Sequence, residues 1–408
     1  MIKAQRGTKD VFGEAALAFS KIESVSRKVF ECANFEEIRT PIFETTELFA
    51  RGVGNSTDIV NKEMYSFKIG DGDSLTLRPE NTAGVVRAYI EHNLSRQSPP
   101  QKFWYFGPMF RYERPQAGRQ RQFHQIGAEI FGSSSAAADA ETILIASEIL
   151  NKLGLSDLVV EINSIGCPDC RDNYKTSIKK AVEPHSASLC TDCQVRCQKN
   201  PLRMFDCKNE VCQKIFARSE IQSVILKDFI CEDCSAHFEE LKKLLDELSI
   251  KYVINKLLVR GLDYYNRTVF EIKSSKLGSQ NAVCGGGRYD GLVELLGGEP
   301  APAVGWAMGV ERLVSLIEPP QAEKLDYYIV SKFTTQALKL TKELRQKGLK
   351  VDYDMQNRKF NKQLEKASKI AQKAIILGED EIAQGFLTVK DLESGEQIST
   401  QVQTLLQA

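Results

Sequence analysis

The residues with the greatest capacity for chemistry lie in 103–132, FWYFGPMFRYERPQAGRQRQFHQIGAEIFG. Arg111 and Glu113 end an aromatic, β-prone run, and Arg114, Arg119 and Arg121 follow in a segment punctuated by Pro and Gly. Guanidiniums so grouped suit bidentate contacts with phosphate. The second half alternates: Phe123, Gln125, Gly127, Glu129 and Phe131 share one face of a strand, and His124, Ile126, Ala128 and Ile130 the other. At roughly 3.3 Å per residue Gln125 and Glu129 stand about 13 Å apart, and Gly127 between them leaves room for a small ligand. A solvated hairpin with a charged turn explains either half alone; a polar face beside a basic loop favours a functional site. A second set of candidates is sulfur. Nine of the 11 cysteines fall between Cys167 and Cys234, as Cys167/Cys170, Cys190/Cys193, Cys197, Cys207/Cys212 and Cys231/Cys234. Three of these pairs have the Cys-x-x-Cys spacing by which two thiolates grip one tetrahedral ion.

Particular elements must position these groups. Two strands joined by the basic loop carry the first set. A helix is expected over 13–32, and a strand over 35–44 that Pro41 confines to an edge or an interface. EMYSFKI and SLTLRPE make a hairpin around 70–73, leading through Arg78, Pro79, Glu80, Asn81 and Thr82 into a helix with Val86, Tyr89 and Ile90. Glu80 at that entrance reads, on residue chemistry alone, as a capping carboxylate. A helix over 136–153 and a strand over 158–163 precede the cysteines. After them, KLLVRGLDYYNRTVFEI gives a strand, a polar stretch and another strand. The glycine run in VCGGGRYDGL permits close backbone approach to a ligand, and AVGWAMGVERL gives a strand and then a helix delivering Arg312. Past PPQAEK, strands over 326–330, 349–353, 374–377 and 386–390 alternate with helices over 335–346 and 361–372, a small α/β domain with a largely parallel sheet. Lys359, Lys362, Lys366, Lys369 and Lys373 form a basic series around one helix.

The 408 residues suit two or three domains, and 42% hydrophobic content is enough for ordinary cores. Lys+Arg and Asp+Glu are both 54, so the chain is no general nucleic-acid coat and any RNA contact uses local patches. No apolar run has the length to span a bilayer, and MIKAQRGTKD lacks a signal peptide's apolar core. A cytoplasmic enzyme without membrane attachment is expected, and disulfides among its cysteines are not.

FRYE, the basic loop and FHQIGAEIFG together resemble the second signature of class II aminoacyl-tRNA synthetases, in the histidyl form. The resemblance extends over nearly the whole chain. FEEIRTPIFE is similar to the first, dimer-building signature, AVGWAMGVERL to the third, and LVRGLDYYN to a signature peculiar to the histidyl enzymes; beside Glu80, Asn81 stands where Gly is frequent in the family. The fold this implies is α+β: an antiparallel catalytic sheet flanked by helices, in two parts, 1–166 and 251–318. A cysteine-rich helical insertion, 167–250, interrupts it, and an anticodon-binding α/β domain, 319–408, follows.

The resemblance also implies roles. Arg111 would contact the α-phosphate of ATP, Arg260 would bridge the histidine carboxylate and that phosphate, and Arg312 would take the distal phosphates. Glu113 and Phe123 would hold adenine. Glu80, Thr82 and Gln125 would hold the α-amino group, and Glu129 and Tyr264 the imidazole nitrogens, with Tyr265 beside them. Arg114, Gln116 and Arg119 would meet the tRNA acceptor end. ATP is then a substrate accompanied by Mg2+, the partners are histidine, histidine tRNA and a second copy of the chain, and the basic helix of the last domain would meet the anticodon arm. For Cys167, Cys170, Cys190, Cys193, Cys207, Cys212, Cys231 and Cys234 the residue chemistry favours structural zinc over redox pairs or inert thiols, with the pairing open. Such a closed site orders the insert without entering adenylation. Two rivals stand beside the ligase: a catalytically silent regulatory relative, and a zinc-dependent RNA-binding module.

Overall fold

The computed structural model describes residues 1–54, 57–115, 119–207, 209–225 and 229–407. It divides into two units, Met1–Pro320 and Gln321–Ala408.

In chain order the strands of the first unit are β1 (Glu36–Glu37), β2 (Phe43–Thr45), β3 (Tyr65–Lys68), β4 (Ser74–Leu77), β5 (Gln101–Phe110), β6 (Gln122–Phe131), β7 (Leu158–Ser164), β8 (Tyr252–Ile254), β9 (Asn266–Ser274), β10 (Ala282–Arg288) and β11 (Ala303–Gly309). Eight of them form one sheet in the order β1-β5-β6-β11-β10-β9-β7-β8, while β2, β4 and β3 form a small sheet. The centre is antiparallel, as expected. Both edges are parallel, β1 with β5 and β7 with β8. Parallel neighbours need a crossover, and the cysteine-rich insertion is the one between β7 and β8. The single strand expected over 35–44 is two, β1 and β2, separated around Pro41, whose ring cannot donate to a ladder. β1 does sit at an edge.

Alternation along β6 sorts the two sheet faces. Ile126, Ala128 and Ile130 enter a core closed by the helices Glu14–Cys32, Ala136–Lys152 and Glu232–Glu247. Phe131 enters the opposite core with Val85, Val86 and Tyr89 of the helix Thr82–Glu91 and with Tyr105, Tyr265 and Tyr289. The insertion is helical: Pro168–Val182, Thr191–Lys199, Glu210–Phe216 and Ser219–Ile225 precede Glu232–Glu247.

A buried carboxylate, Asp139, ties the insertion to this frame through His237. Asp139 and Arg288 are both fully buried and meet at 2.5 Å, and Asp139 also accepts from His237 Nε2 and the Thr268 hydroxyl, each at 2.6 Å. Burial opposes ionisation of Asp139, but the bonds from His237 and Arg288 outweigh it and hold the carboxyl below its ordinary range. A folded-state pKa below the unfolded one contributes stability above the unfolded value and loses it as pH falls through the folded one. Arg288→Met therefore strands a buried carboxylate, and the expected loss is about 3–5 kcal/mol at neutral pH. The deficit against the parent should shrink as acid protonates Asp139; denaturant titrations of both chains between neutral and acid pH check this.

The second unit holds β12 (Leu325–Ser331), β13 (Val351–Tyr353), β14 (Ala371–Leu377), β15 (Phe386–Asp391) and β16 (Gln397–Gln401) in the order β13-β12-β14-β15-β16. β12 pairs parallel with β13 and β14, but β15 and β16 join antiparallel, so the sheet is mixed rather than largely parallel. The polar strand β16 had no apolar alternation to announce it. Of the lysine series, Lys362, Lys366 and Lys369 lie on the helix Phe360–Ile370, where they pair with Glu365 or Asp352, and Lys373 is on β14.

Candidate active site

The polar face of β6 opens on a cavity of about 660 Å³. Glu80, Thr82, Gln125, Tyr264, Tyr265, Arg111, Glu113, Phe123, Arg119, Arg260 and Arg312 all line it, so residues 232 positions apart in sequence converge on one space. Glu129 is not among the lining residues; it is fully buried, one hydrogen bond behind Thr82. Its carboxylate accepts from the Thr82 hydroxyl at 2.9 Å and the Tyr289 hydroxyl at 2.5 Å. A β-carbon on Gly305 of β11 would overlap Glu129 Oε2, so that glycine is what admits the carboxylate. Burial raises the pKa of Glu129 to about 8, against the lowering by its two hydroxyl donors.

The space above Gly127 is not open. Tyr105 lies opposite Gly127 in the β5–β6 register, and its phenol stands where a side chain of residue 127 would be. The room expected over the glycine is therefore filled, and the cavity is lined on β6 by Phe123 and Gln125 instead. The sequence reading does not single out Tyr105 or Tyr289, because the strand register that places them is not a local signal. The hydroxyls of Tyr105 and Tyr264 and Gln125 Oε1 are buried without a hydrogen-bond partner among the described residues. Burial drives both phenols well above their ordinary pKa, so they are neutral donors.

Glu80 is a cap: its two carboxylate oxygens accept from the amides of Thr82 at 2.8 Å and Ala83 at 3.0 Å. Asn81 sits at φ −117°, a region open to any residue, and its Oδ1 accepts from the Thr40 hydroxyl at 2.6 Å. The departure at Asn81 thus needs no special backbone.

The glycine run is the middle of β10 and not a loop. A β-carbon on Gly285 would collide with the Arg260 guanidinium, so the bare backbone lets Arg260 lie flat on the sheet, where it pairs with Glu271. Arg111 stacks over Phe123 at 5.2 Å and donates to Pro79 O at 2.8 Å. Arg119 meets Glu113 at 2.8 Å. The helix Val310–Val314 presents Arg312, whose guanidinium reaches Ala282 O. Arg114 is exposed and does not line the cavity, and Gln116 lies outside the described residues. A wall that carries four arginines together with buried neutral polar groups suits a phosphate-bearing substrate beside a small polar one.

Residues 7–169 and 215–313 match the family model described as Histidyl-tRNA synthetase, and 320–408 that of an Anticodon binding domain. The chain belongs to the histidyl-tRNA synthetase family. It is 46% identical over 415 residues to the histidine--tRNA ligase of Halothermothrix orenii, covering 100% of this chain and 98% of that one. It is 48% identical over 413 residues to that of Synechococcus elongatus, covering 100% and 94%. The solved apo histidyl-tRNA synthetase of S. aureus superposes with a TM-score of 0.82 at 36% identity, covering 100% and 99%.

Within this synthetase the eight paired cysteines sort into two groups, Cys167, Cys170, Cys231 and Cys234, and Cys190, Cys193, Cys207 and Cys212. In each, the four sulfurs lie within 4.8 Å of one another. Cys197 is buried outside both.

Proposed function

We propose that the chain activates histidine with ATP and transfers it to the 3′ end of histidine tRNA. The observation that carries this reading is the cavity of an established family member, lined by Tyr264 and Gln125, whose hydroxyl and Oε1 have no hydrogen-bond partner among the described residues, with the buried acceptor Glu129 bonded behind the lining Thr82. An imidazole has one N–H to donate and one nitrogen to accept, and Glu129 and the Tyr264 hydroxyl supply the complementary pair. Gln125, Thr82 and Glu80 hold the α-amino group, and Tyr265 closes the aromatic wall.

The histidine carboxylate attacks the α-phosphorus of ATP and pyrophosphate leaves; a terminal ribose hydroxyl of tRNA then attacks the acyl carbon and AMP leaves. Charge accumulates on phosphate oxygens, so placement and fixed cations do most of the work. Arg111 and Arg260 stabilise the α-phosphate, Arg260 also holds the carboxylate, and Arg312 takes the distal phosphates. Phe123 stacks on adenine and Glu113 accepts from it. Arg119, with Arg114 and Gln116, meets the acceptor end. Mg2+ would come with ATP and neutralise phosphate charge; the carboxylates of Glu113 and Glu271 line the cavity and are the oxygen donors it prefers.

We also read the chain as a cytoplasmic homodimer with structural zinc and an anticodon-binding domain over 319–408. Ile42 and Phe43, 43% and 53% exposed beside the edge strand β1, support a dimer contact. Incubating the enzyme with ATP, labelled histidine and total tRNA should charge histidine tRNA; no acid-precipitable histidine would refute the ligase reading.

A further inference from the structure

We propose that each cysteine group binds one zinc ion, and that the Cys190 group positions the substrate-facing segment Arg260–Tyr265 through Asn200 and Arg203. This rests on the ligase reading above.

The metal part stands on two independent features. Four sulfurs about 2.3 Å from one ion in a tetrahedron lie about 3.8 Å apart; Cys190 and Cys207 Sγ are at 3.8 Å, and Cys167 and Cys170 Sγ at 3.5 Å. Backbone amides are also aimed at the sulfurs. Cys167 N donates to Cys234 Sγ at 3.2 Å and Cys231 N to Cys170 Sγ at 3.1 Å, a reciprocal exchange between two knuckles. In the other group Cys190 N donates to Cys212 Sγ at 3.3 Å and Asn209 N to Cys207 Sγ at 3.4 Å. Amides directed at sulfur offset thiolate charge, which inert thiols do not require. All-sulfur tetrahedral sets select zinc among the common divalent ions.

The two groups sit at different places. Cys167 and Cys231 begin the helices Pro168–Val182 and Glu232–Glu247, where the chain leaves and re-enters the sheet, so the first ion clamps the base of the insertion. The second group brackets 194–206, within the stretch the family model leaves unmatched.

That bracketed stretch reaches the active site. Asn200 Nδ2 donates to Asp263 Oδ1 at 3.0 Å, Arg203 Nη2 to Gly261 O at 2.5 Å, and Arg203 pairs with Asp263 at 3.2 Å. Phe205 lines the cavity itself. From the first group, Arg171 follows Cys170 and donates to Tyr265 O at 2.6 Å. Arg260–Tyr265 has no helix or strand of its own, so these contacts supply the order that a ladder would. The sequence-based expectation keeps the metal apart from adenylation; the proposal departs from it on the strength of these bonds.

Elemental analysis of the full chain, purified without added metal, should give two zinc ions per chain, one in Cys193→Ser and two in Cys197→Ala. Arg203→Met and Asn200→Ala should keep both ions yet lower kcat/KM for histidine in pyrophosphate exchange at least tenfold. The change should fall mainly on the histidine KM, with the ATP KM within about twofold. Stripping zinc from the parent with a mercurial and chelator should reproduce the loss, and zinc should restore it. Absence of zinc with all thiols titratable in the folded parent overturns the metal assignment. Two zinc ions with unaltered histidine kinetics in both variants overturns the positioning. Complete lack of exchange in the parent instead overturns the ligase reading, with zinc content still measured separately.

Discussion

Glu129→Gln should lower kcat/KM for histidine by about 1,000-fold while the ATP KM stays within about twofold. A site built around a buried acceptor discriminates strongly, because a substrate N–H left without it has no water to turn to. Glutamine keeps the shape and presents an N–H or a weaker neutral oxygen, so steric disruption is not the cause of the loss. Two consequences follow from the raised pKa of Glu129, about 8 in the free protein. The stronger, ionised acceptor becomes populated as pH rises through that value, so kcat/KM for histidine should climb with an apparent pKa near 8. The step that vanishes in Glu129→Gln belongs to the protein, and any that persist belong to the substrate. Stability moves the other way. A carboxyl whose folded pKa exceeds its unfolded one holds its proton longer when folded, so stability falls as pH rises from the ordinary carboxylate range to about 8. Glu129→Gln escapes that cost and should melt higher than the parent above pH 8. A variant with normal histidine kinetics would remove Glu129 from the pocket.

Arg260→Ala should lower turnover in histidine-dependent pyrophosphate exchange by at least about 100-fold, the scale of losing one donor aimed at developing charge. Gly285 gives the guanidinium a flat seat, and Glu271 holds its orientation. Lysine at this position supplies a point charge without the planar fork, so Arg260→Lys should recover only part of the loss. Gly285→Ala, with arginine still present, should act in the same direction by lifting the guanidinium off β10. Near-normal exchange in Arg260→Ala would return that residue to a structural role.

What could be read from the residues, and what could not, follows from the range of each signal. The two faces of β6 were legible because alternation is local, and the core and cavity sides fall as Ile126, Ala128, Ile130 and Gln125, Phe131 require. The helices at 14–32 and 136–152 lie within one residue of the spans expected for them, 13–32 and 136–153. Contacts across the sheet were hidden. Nothing in the neighbourhood of Gly127 says that Tyr105 fills it, or near Gly305 that Glu129 does, because register joins residues 22 and 176 positions apart. The glycine run read as a place for ligand approach; its function became visible only once Arg260 was found against it. For the cysteines, spacing named the chemistry but not the partners, since a knuckle at 167–170 can close with any other until the helices are placed. Asp139–Arg288 was invisible for the same reason, two ordinary charged residues 149 positions apart.

The central claim is that this cavity selects histidine and activates it on ATP. Amino-acid-dependent exchange of labelled pyrophosphate into ATP, measured with each of the twenty amino acids and no tRNA, tests it most directly. Histidine alone should support exchange, at least about 100-fold above any other amino acid, as expected where both imidazole nitrogens meet buried partners. Exchange driven by a different amino acid, or by none, would contradict it.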